Sequence, residues 1–151
     1  MSVRWNKRLA VEDGREVVVL GGVLQLRSVR HLPRFLKWNR GIQRQLATSE
    51  GLLRYSLRAR MRTLEFEALS VWTDHAPLAS FARGGAHASA ARDLKHAGAM
   101  ASSRFVSWDH TTGKPWPTWE DLAVRMRFES DDRPGGSPVT LAGARGVPDS
   151  G

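Results

Sequence analysis

His87 is the residue of this sequence best suited to acid–base or ligand chemistry. An imidazole titrates near neutral pH, so His87 could act as a general base, and it could also serve as the axial ligand of a haem iron. The pair Gly84-Gly85 comes shortly before it and lets the backbone approach a bound molecule closely. The alternative is that His87 only caps or packs the helix that it begins. Residue type and spacing leave both interpretations open.

Aromatic side chains in the middle of the chain are spaced so that strands and helices could bring them around an apolar pocket. A pocket of this kind suits a flat aromatic or a polyene molecule. The candidates for its lining are Tyr55, Phe66, Trp72, Phe81 and Trp108. Aromatic residues at strand and helix spacing also build ordinary cores, which is the better explanation for Phe66. Trp72 and Phe81 are stronger pocket candidates, because they flank a predicted helix cap and the glycine break.

Two arginines lie close to these aromatic residues in the sequence. Arg83 and Arg104 could bind a substrate carboxylate or a haem propionate, although solvated surface positions are commoner for arginine. No metal site is expected, because the other histidines lack the spacing of metal ligands. They are His31, His75, His96 and His110. No glycine-rich phosphate loop is present, so the sequence gives no sign of a flavin or nicotinamide cofactor.

The overall composition indicates one domain of ordinary globular type. The chain has 151 residues, enough for a single core, and it contains no cysteine. Thiolate catalysis, disulfides and cysteine-based metal sites are therefore excluded. The first residues are polar, and no apolar run is long enough to cross a membrane, so we expect a cytoplasmic protein without a membrane partner.

The positive charge is concentrated in the first half of the chain. The net charge is +8, and residues 1–62 carry 14 Lys and Arg against 4 Asp and Glu. Part of this excess forms a stripe along a predicted helix at residues 30–47. Such a stripe could dock an acidic carrier protein, although a solvated helix face is the commoner explanation. We expect no nucleic-acid partner.

The predicted elements begin with a strand at residues 17–26, in which Gly21-Gly22 marks a bulge or a close approach by another group. The helix at residues 30–47 follows. Two runs that alternate with a period of two, residues 53–61 and 64–72, then predict a β-hairpin. Its register sets three pairs opposite each other: Arg58 and Glu67, Arg60 and Glu65, and Ala59 and Phe66.

The second half of the domain repeats the helix–strand alternation. Thr73 or Asp74 is a suitable N-cap for a helix that begins near residue 76. Gly84-Gly85 breaks this helix, and a second helical run and a strand at residues 102–109 follow. Thr118 and Asp121 form a capping-box variant that starts a short helix ending near residue 127.

The order strand–helix–strand–strand–helix–strand predicts an α+β, ferredoxin-like βαββαβ domain with a four-stranded antiparallel sheet. The predicted division is an arm at residues 1–16, the domain at 17–127 and a disordered tail at 128–151. Both helices of such a domain cover one face of the sheet, so the other face must meet solvent or another subunit. We therefore expect a homodimer.

Segments 68–87 and 103–109 resemble the antibiotic biosynthesis monooxygenases, and more narrowly proteins related to spheroidene monooxygenase. The shared features are a strand ending in Trp72, the acidic cap Asp74, Phe81 on the helix, the step Gly85-Ala86-His87, and a strand carrying Phe105 and Trp108. The resemblance covers residues 17–109 and implies a dimeric α+β barrel. Related haem-degrading members place their histidine about one helical turn further along, which corresponds here to a position near Ala91.

The resemblance implies a small monooxygenase-type oxidoreductase that acts on an apolar aromatic, polyketide-like or polyene molecule. It is either cofactor-free or haem-assisted. In the first case His87, Tyr55 and Trp72 are the candidate catalytic residues, and in the second His87 binds the iron. The candidate substrate-binding residues are Phe66, Phe81, Trp108, Arg83 and Arg104. The alternative is a non-catalytic ligand-binding or accessory protein of the same fold, because a fold by itself does not establish an activity.

Overall fold

Residues 3–129 are described by the computed structural model of the chain, in which they form five strands and four helices. The predicted tail lies outside the described residues from residue 130 onward, whereas residues 128 and 129 belong to the last helix. The elements in chain order are β1 (Asn6–Lys7), β2 (Glu16–Leu26), α1 (Leu32–Ala47), β3 (Leu52–Arg60), β4 (Glu65–Trp72), α2 (His75–Arg83), α3 (Gly85–His96), β5 (Met100–Thr111) and α4 (Trp119–Glu129).

The strands form one antiparallel sheet in the order β1-β3-β4-β2-β5. Its four longer strands have the order of a ferredoxin-like domain, which confirms the predicted α+β fold. The sheet has five strands rather than four, because the N-terminal segment adds β1 as a short edge strand that pairs Asn6 with Tyr55.

The hairpin of β3 and β4 has the register that the alternation of charges predicted. Ala59 lies opposite Phe66, and Arg58 lies opposite Glu67. The Arg58 guanidinium approaches the Glu67 carboxylate to 2.6 Å, and Arg60 approaches the same carboxylate to 3.3 Å. A single acid therefore binds both arginines and holds the two strands in register.

Both predicted helix caps are present. Asp74 accepts a hydrogen bond of 3.0 Å from the backbone N–H of Ala76 at the start of α2. At the start of α4, the N–H of Thr118 donates to the Asp121 carboxylate at 2.9 Å, and the N–H of Asp121 donates to the Thr118 hydroxyl at 3.1 Å. These bonds satisfy N–H groups that the first turn of a helix leaves without a partner.

Helices α1, α2 and α3 pack on one face of the sheet, called here the first face. The buried side chains between these layers form two clusters. One contains Val18, Leu46, Leu52, Trp72, Leu78 and Phe81, and the other contains Leu26, Phe35, Leu94 and Ala99. Trp72 lies on the same face as Phe66 and Tyr55, as the hairpin register predicted.

Helix α4 covers the opposite, second face of the sheet. Trp119, Leu122 and Met126 of this helix pack on a buried apolar set contributed by the strands, which consists of Val17, Val19, Leu53, Leu69, Val71 and Val106. At Gly21 a Cβ atom would collide with the Leu122 side chain, so this glycine allows α4 to seat on β2. The expectation that the second face meets solvent or another subunit is therefore wrong for this part of the sheet. The homodimer itself stays a prediction.

Within residues 3–129, no helix is both long enough and apolar enough to cross a membrane.

Candidate functional site

A cavity of about 280 Å³ lies between the first face of the sheet and helices α1 and α3. Apolar side chains make most of its wall, including Leu20, Leu24, Phe35, Ile42, Leu57 and Phe66. Pockets for drug-sized molecules usually measure roughly 300–1,000 Å³, so this cavity suits a small apolar ligand of about two or three fused rings.

The middle of the cavity depends on a glycine. Gly22 lies opposite Phe105 in the pairing of β2 with β5, and a Cβ atom at Gly22 would come within 2.6 Å of the Phe105 ring. That distance is far below van der Waals contact, so any other residue would displace the ring. Gly22 therefore leaves room for the Phe105 ring on the first face, and Gly21 leaves room for α4 on the second face.

His87 lies in the cavity wall, near the start of α3. Its Nδ1 atom is 3.1 Å from the carbonyl oxygen of Ala82. A carbonyl can only accept a hydrogen bond, so in the neutral ring the proton is on Nδ1 and the lone pair is on Nε2. Burial lowers the pKa of His87 from its ordinary value of 6.5, and the bond to Ala82 opposes this in part. At neutral pH the ring is therefore uncharged and able to accept a proton at Nε2.

Gln45 of α1 holds the chain around His87. Its side-chain amide nitrogen donates to the carbonyl oxygens of Phe81 at 3.1 Å and Gly84 at 3.2 Å, and its oxygen accepts the His87 backbone N–H at 2.7 Å. Two carbonyls need donors and one N–H needs an acceptor, which determines the orientation of the amide. Gln45 thus gives the His87 N–H an acceptor, and it adds a second donor to the Phe81 carbonyl, which also accepts the Gly84 N–H at 3.3 Å. Sequence reasoning missed it.

An aromatic series runs from the core to His87. The ring of Trp72 lies 5.3 Å from that of Phe81, and Phe81 lies 4.9 Å from the imidazole. Trp72 is completely buried, and its indole N–H donates to the Ser70 hydroxyl at 2.8 Å. Trp72 therefore lies behind the cavity wall. It supports Phe81 and Ser70, which line the cavity, rather than facing a ligand itself.

Three hydroxyl groups interrupt the apolar wall. They belong to Tyr55, Ser70 and Ser103. The Tyr55 phenol makes no hydrogen bond to the residues that the structure describes, and the buried Ser103 Oγ atom also has no partner among them. Neither serine was a candidate in the sequence. The hydroxyls of Tyr55 and Ser70 and Nε2 of His87 can hydrogen-bond oxygen atoms of a bound molecule. The Ser103 Oγ atom is covered, so its side chain must turn toward the cavity to do the same.

Several predicted site residues are thus brought together and others are not. His87, Tyr55, Phe66 and Phe81 line the cavity. Trp108 packs against the second-face core, where the Arg125 guanidinium lies 4.9 Å from its ring, so its predicted place in the pocket is wrong.

The two arginines are also outside the cavity. Arg104 belongs to the second face of β5, because it alternates with the cavity residues Ser103 and Phe105 along the strand. Arg83 is exposed at the end of α2. The predicted placement of both guanidinium groups in the pocket is therefore corrected.

A haem would need an axial ligand, space for the porphyrin and partners for its propionates. His87 meets the first need, since a ligating histidine usually donates its other ring N–H to a carbonyl or carboxylate. The cavity of about 280 Å³ does not meet the second, because a porphyrin is large among small-molecule ligands. Arg83 and Arg104 lie outside the cavity and do not meet the third. These residues do not fit a haem in this geometry.

No model of a protein family matches the chain, and no curated protein is similar enough to count as a match. Several solved structures are similar in fold. A protein from Fusobacterium nucleatum, provisionally named a monooxygenase, superposes with a TM-score of 0.58 at 13% identity over 74% of this chain and 51% of its own. A protein from Nitrosomonas europaea, provisionally named an antibiotic biosynthesis monooxygenase, gives a TM-score of 0.53 at 13% identity over 60% of this chain and 95% of its own.

The chain shares the ferredoxin-like α+β fold of these two proteins. It spans about half the length of the Fusobacterium protein and nearly all of the Nitrosomonas one. A mutant of SnoaB, a cofactor-independent oxygenase from Streptomyces nogalater, is also similar, with 18% identity over 67% of this chain and 97% of its own and a TM-score of 0.49. At 13% identity, the similarity to the Fusobacterium and Nitrosomonas proteins establishes the architecture alone, and any activity has to be argued from the site.

Proposed function

We propose that the chain is a small cofactor-free monooxygenase that acts on a flat, apolar, oxygen-sensitive phenol or its keto tautomer. The observation that carries this proposal is the state of His87. Its ring lies in the wall of an apolar cavity, its Nδ1 proton is bound by the Ala82 carbonyl, and its Nε2 lone pair is free of hydrogen bonds to the described residues. Such an imidazole is a general base at neutral pH.

The chemistry begins with proton transfer. Nε2 of His87 removes a proton from the activated C–H or O–H of the substrate, which leaves an electron-rich anion in the apolar cavity. The anion transfers an electron to O2, and the two radicals combine to form a carbon–oxygen bond. The imidazolium returns its proton to the resulting peroxide, and loss of water leaves a new carbonyl. One oxygen atom enters the substrate and the other leaves as water, so atoms and electrons balance.

The remaining groups of the cavity bind and orient the substrate. Phe105, Phe66 and Phe81 provide apolar surfaces for a flat ring system. The hydroxyls of Tyr55 and Ser70 provide hydrogen bonds for a substrate oxygen, and such bonds stabilise negative charge as it develops in the transition state. Because the Ser70 hydroxyl already accepts the Trp72 indole N–H, its own proton is left to donate.

The test is oxygen uptake by purified, cofactor-free protein supplied with anthrone, the keto tautomer of an oxygen-sensitive phenol. We expect consumption of O2 and formation of anthraquinone in equal amounts above the blank without protein. His87→Gln should slow the reaction by roughly 10²- to 10⁴-fold, the usual contribution of a general base. His96→Gln is the matched control, since His96 is exposed at the end of the same helix.

Two results would contradict the proposal. A His87→Gln variant that is as active as wild type would remove His87 as the base. Tight binding of anthrone and related phenols without any O2 uptake would favour the accessory, ligand-binding alternative.

A further inference from the structure

One residue of the cavity wall, Ser103, carries a hydroxyl group among apolar side chains. Ser103 is only 5% exposed, it lines the cavity, and its Oγ atom has no hydrogen-bond partner among residues 3–129. Buried hydroxyls without a partner are rare, because the hydroxyl loses its hydrogen bonds to water on folding and gains no hydrogen bond within the protein in return. An alanine at this position would fill nearly the same space without that cost.

From this we infer that Ser103 is a binding subsite for an oxygen atom, a phenol or a carbonyl, at one end of a flat apolar ligand, toward which its covered hydroxyl turns when the ligand binds. The inference rests on the proposed function in that both use the same cavity. It deepens the proposed function, because the apolar wall alone would accept many flat molecules. A subsite at Ser103 restricts the substrates to those that carry an oxygen atom at that position.

The sheet register locates this subsite relative to the other hydroxyls. Ser103 lies beside Leu24 of β2, and Ser70 lies beside Leu20 of the same strand. Four residues along a strand correspond to roughly 13 Å. The two serines therefore occupy opposite ends of the cavity, and the row between them holds Gly22 and the Phe105 ring.

The surroundings of Ser103 are apolar and close-packed. Leu24 and Phe66 belong to the same row of the sheet, and the Phe66 ring lies 4.1 Å from that of Phe35. Leu94 and Met100 also line this end. The ligand that fits is therefore elongated, flat and apolar along its length, with an oxygen at the end that reaches Ser103. A serine hydroxyl donates and accepts, so either a phenol or a carbonyl satisfies it.

The experiment compares two fluorescent probes of one shape, 2-hydroxyanthracene and anthracene, by equilibrium titration in the absence of O2. Wild-type protein should bind the hydroxylated probe about five- to tenfold more tightly, the effect of one neutral hydrogen bond. Ser103→Ala should remove this preference and leave anthracene binding unchanged or slightly tighter. Ser102→Ala is the matched control, because Ser102 is the neighbouring residue of β5 and belongs to the other face.

The outcomes separate this inference from the proposed function. Equal binding of the two probes by wild type, or an unchanged preference in Ser103→Ala, would overturn the Ser103 subsite while leaving oxygen uptake and His87 unaffected. Failure of wild type to bind either probe would overturn the cavity as a ligand site, and with it both proposals. Loss of the preference only in Ser103→Ala, with Ser102→Ala like wild type, is the expected result.

Discussion

The backbone N–H of His87 donates a 2.7 Å hydrogen bond to the side-chain oxygen of Gln45, a residue 42 positions earlier in the chain. The same amide donates to two carbonyls at the end of the preceding helix. Gln45 is thus a positioning residue. It connects α1 to the backbone between the end of α2 and the first turn of α3. It therefore determines the position of the His87 imidazole in the cavity.

Replacing Gln45 with Glu should disturb His87 in a specific way. The carboxylate can still accept the His87 N–H. It cannot donate to the Phe81 and Gly84 carbonyls, whose oxygens then face a negatively charged oxygen, so we expect a loss of about 1–3 kcal/mol in the free energy of unfolding. The added negative charge should also raise the His87 pKa. Denaturant unfolding and NMR titration of the imidazole measure the two effects.

Gln43→Glu is the control for that charge, since Gln43 lies on the same helix and makes no hydrogen bond with its side chain to the described residues. The positioning role would be refuted by a Gln45→Glu protein with the stability and the His87 titration of the Gln43 variant.

The pH dependence of the protein follows from the burial of His87. Desolvation lowers its pKa in the folded state, and the hydrogen bond to Ala82 acts in the opposite direction. The unfolded chain therefore takes up this proton first as the pH falls. The stability due to neutral His87 is fully present above pH 6.5, the unfolded value, and is lost as the pH drops toward the folded pKa.

We expect NMR titration of folded protein to place the His87 midpoint below 6.5, and oxygen uptake to fall over the same range because the protonated ring is no base. Burial and the charge of Lys114 also lower the pKa of His110, so His110 adds to the loss of stability at low pH. The contribution of His87 is the difference between the pH dependence of unfolding in wild type and in His87→Gln. An activity that is constant across this pH range would contradict the assigned role.

Helix α4 should contribute strongly to stability. Leu122 is fully buried against the second face of the sheet, so Leu122→Ala removes apolar contacts and leaves a cavity, at a cost of about 2–5 kcal/mol. Val124→Ala on the same helix is the control, because Val124 is 47% exposed and its replacement should cost less than about 0.5 kcal/mol. Similar losses in the two variants, measured by urea unfolding, would mean that α4 does not pack on the sheet as described.

Haem binding gives a further test of the cavity. Titration with haemin should produce no Soret band of a histidine-ligated haem, because the cavity of about 280 Å³ does not accommodate the porphyrin. The prediction fails if such a band develops in wild type and is absent in His87→Gln, since His87 would then bind the iron.

Local patterns predicted much of this fold. The alternation of Arg and Glu determined the register of the hairpin, because charges and apolar residues selected the same alignment. The caps at Asp74 and Thr118 were recognisable because each involves residues only a few positions apart. Such features are written in neighbouring residues and need no knowledge of the rest of the chain.

Features that join distant segments were not predictable in this way. Nothing near Gln45 distinguishes it from other polar residues of its helix, because its partners lie 36 to 42 positions away. The apolar residues of α4 do not lie along one side of the helix, since Val124 and Phe128 are exposed while Leu122 is buried, so the helix was not recognised as a cover for the sheet.

The placement of Trp108 is different, since a signal existed. Trp108 lies three positions after Phe105, and a strand with a period of two puts residues at an odd spacing on opposite faces. Phe105 accordingly lines the cavity, and Trp108 packs against the second-face core.

The packing of α4 on β2 has a consequence for how the protein is made. Residues 119–126 close a core whose other half includes Val17 and Val19, about a hundred positions earlier. During synthesis the apolar second face of the sheet therefore stays open until nearly all of the described domain has left the ribosome. Contacts of such long sequence separation form slowly, and an open apolar sheet face is prone to aggregation. The last helix acts in this sense as the closing step of folding, and the yield of native protein should depend on it.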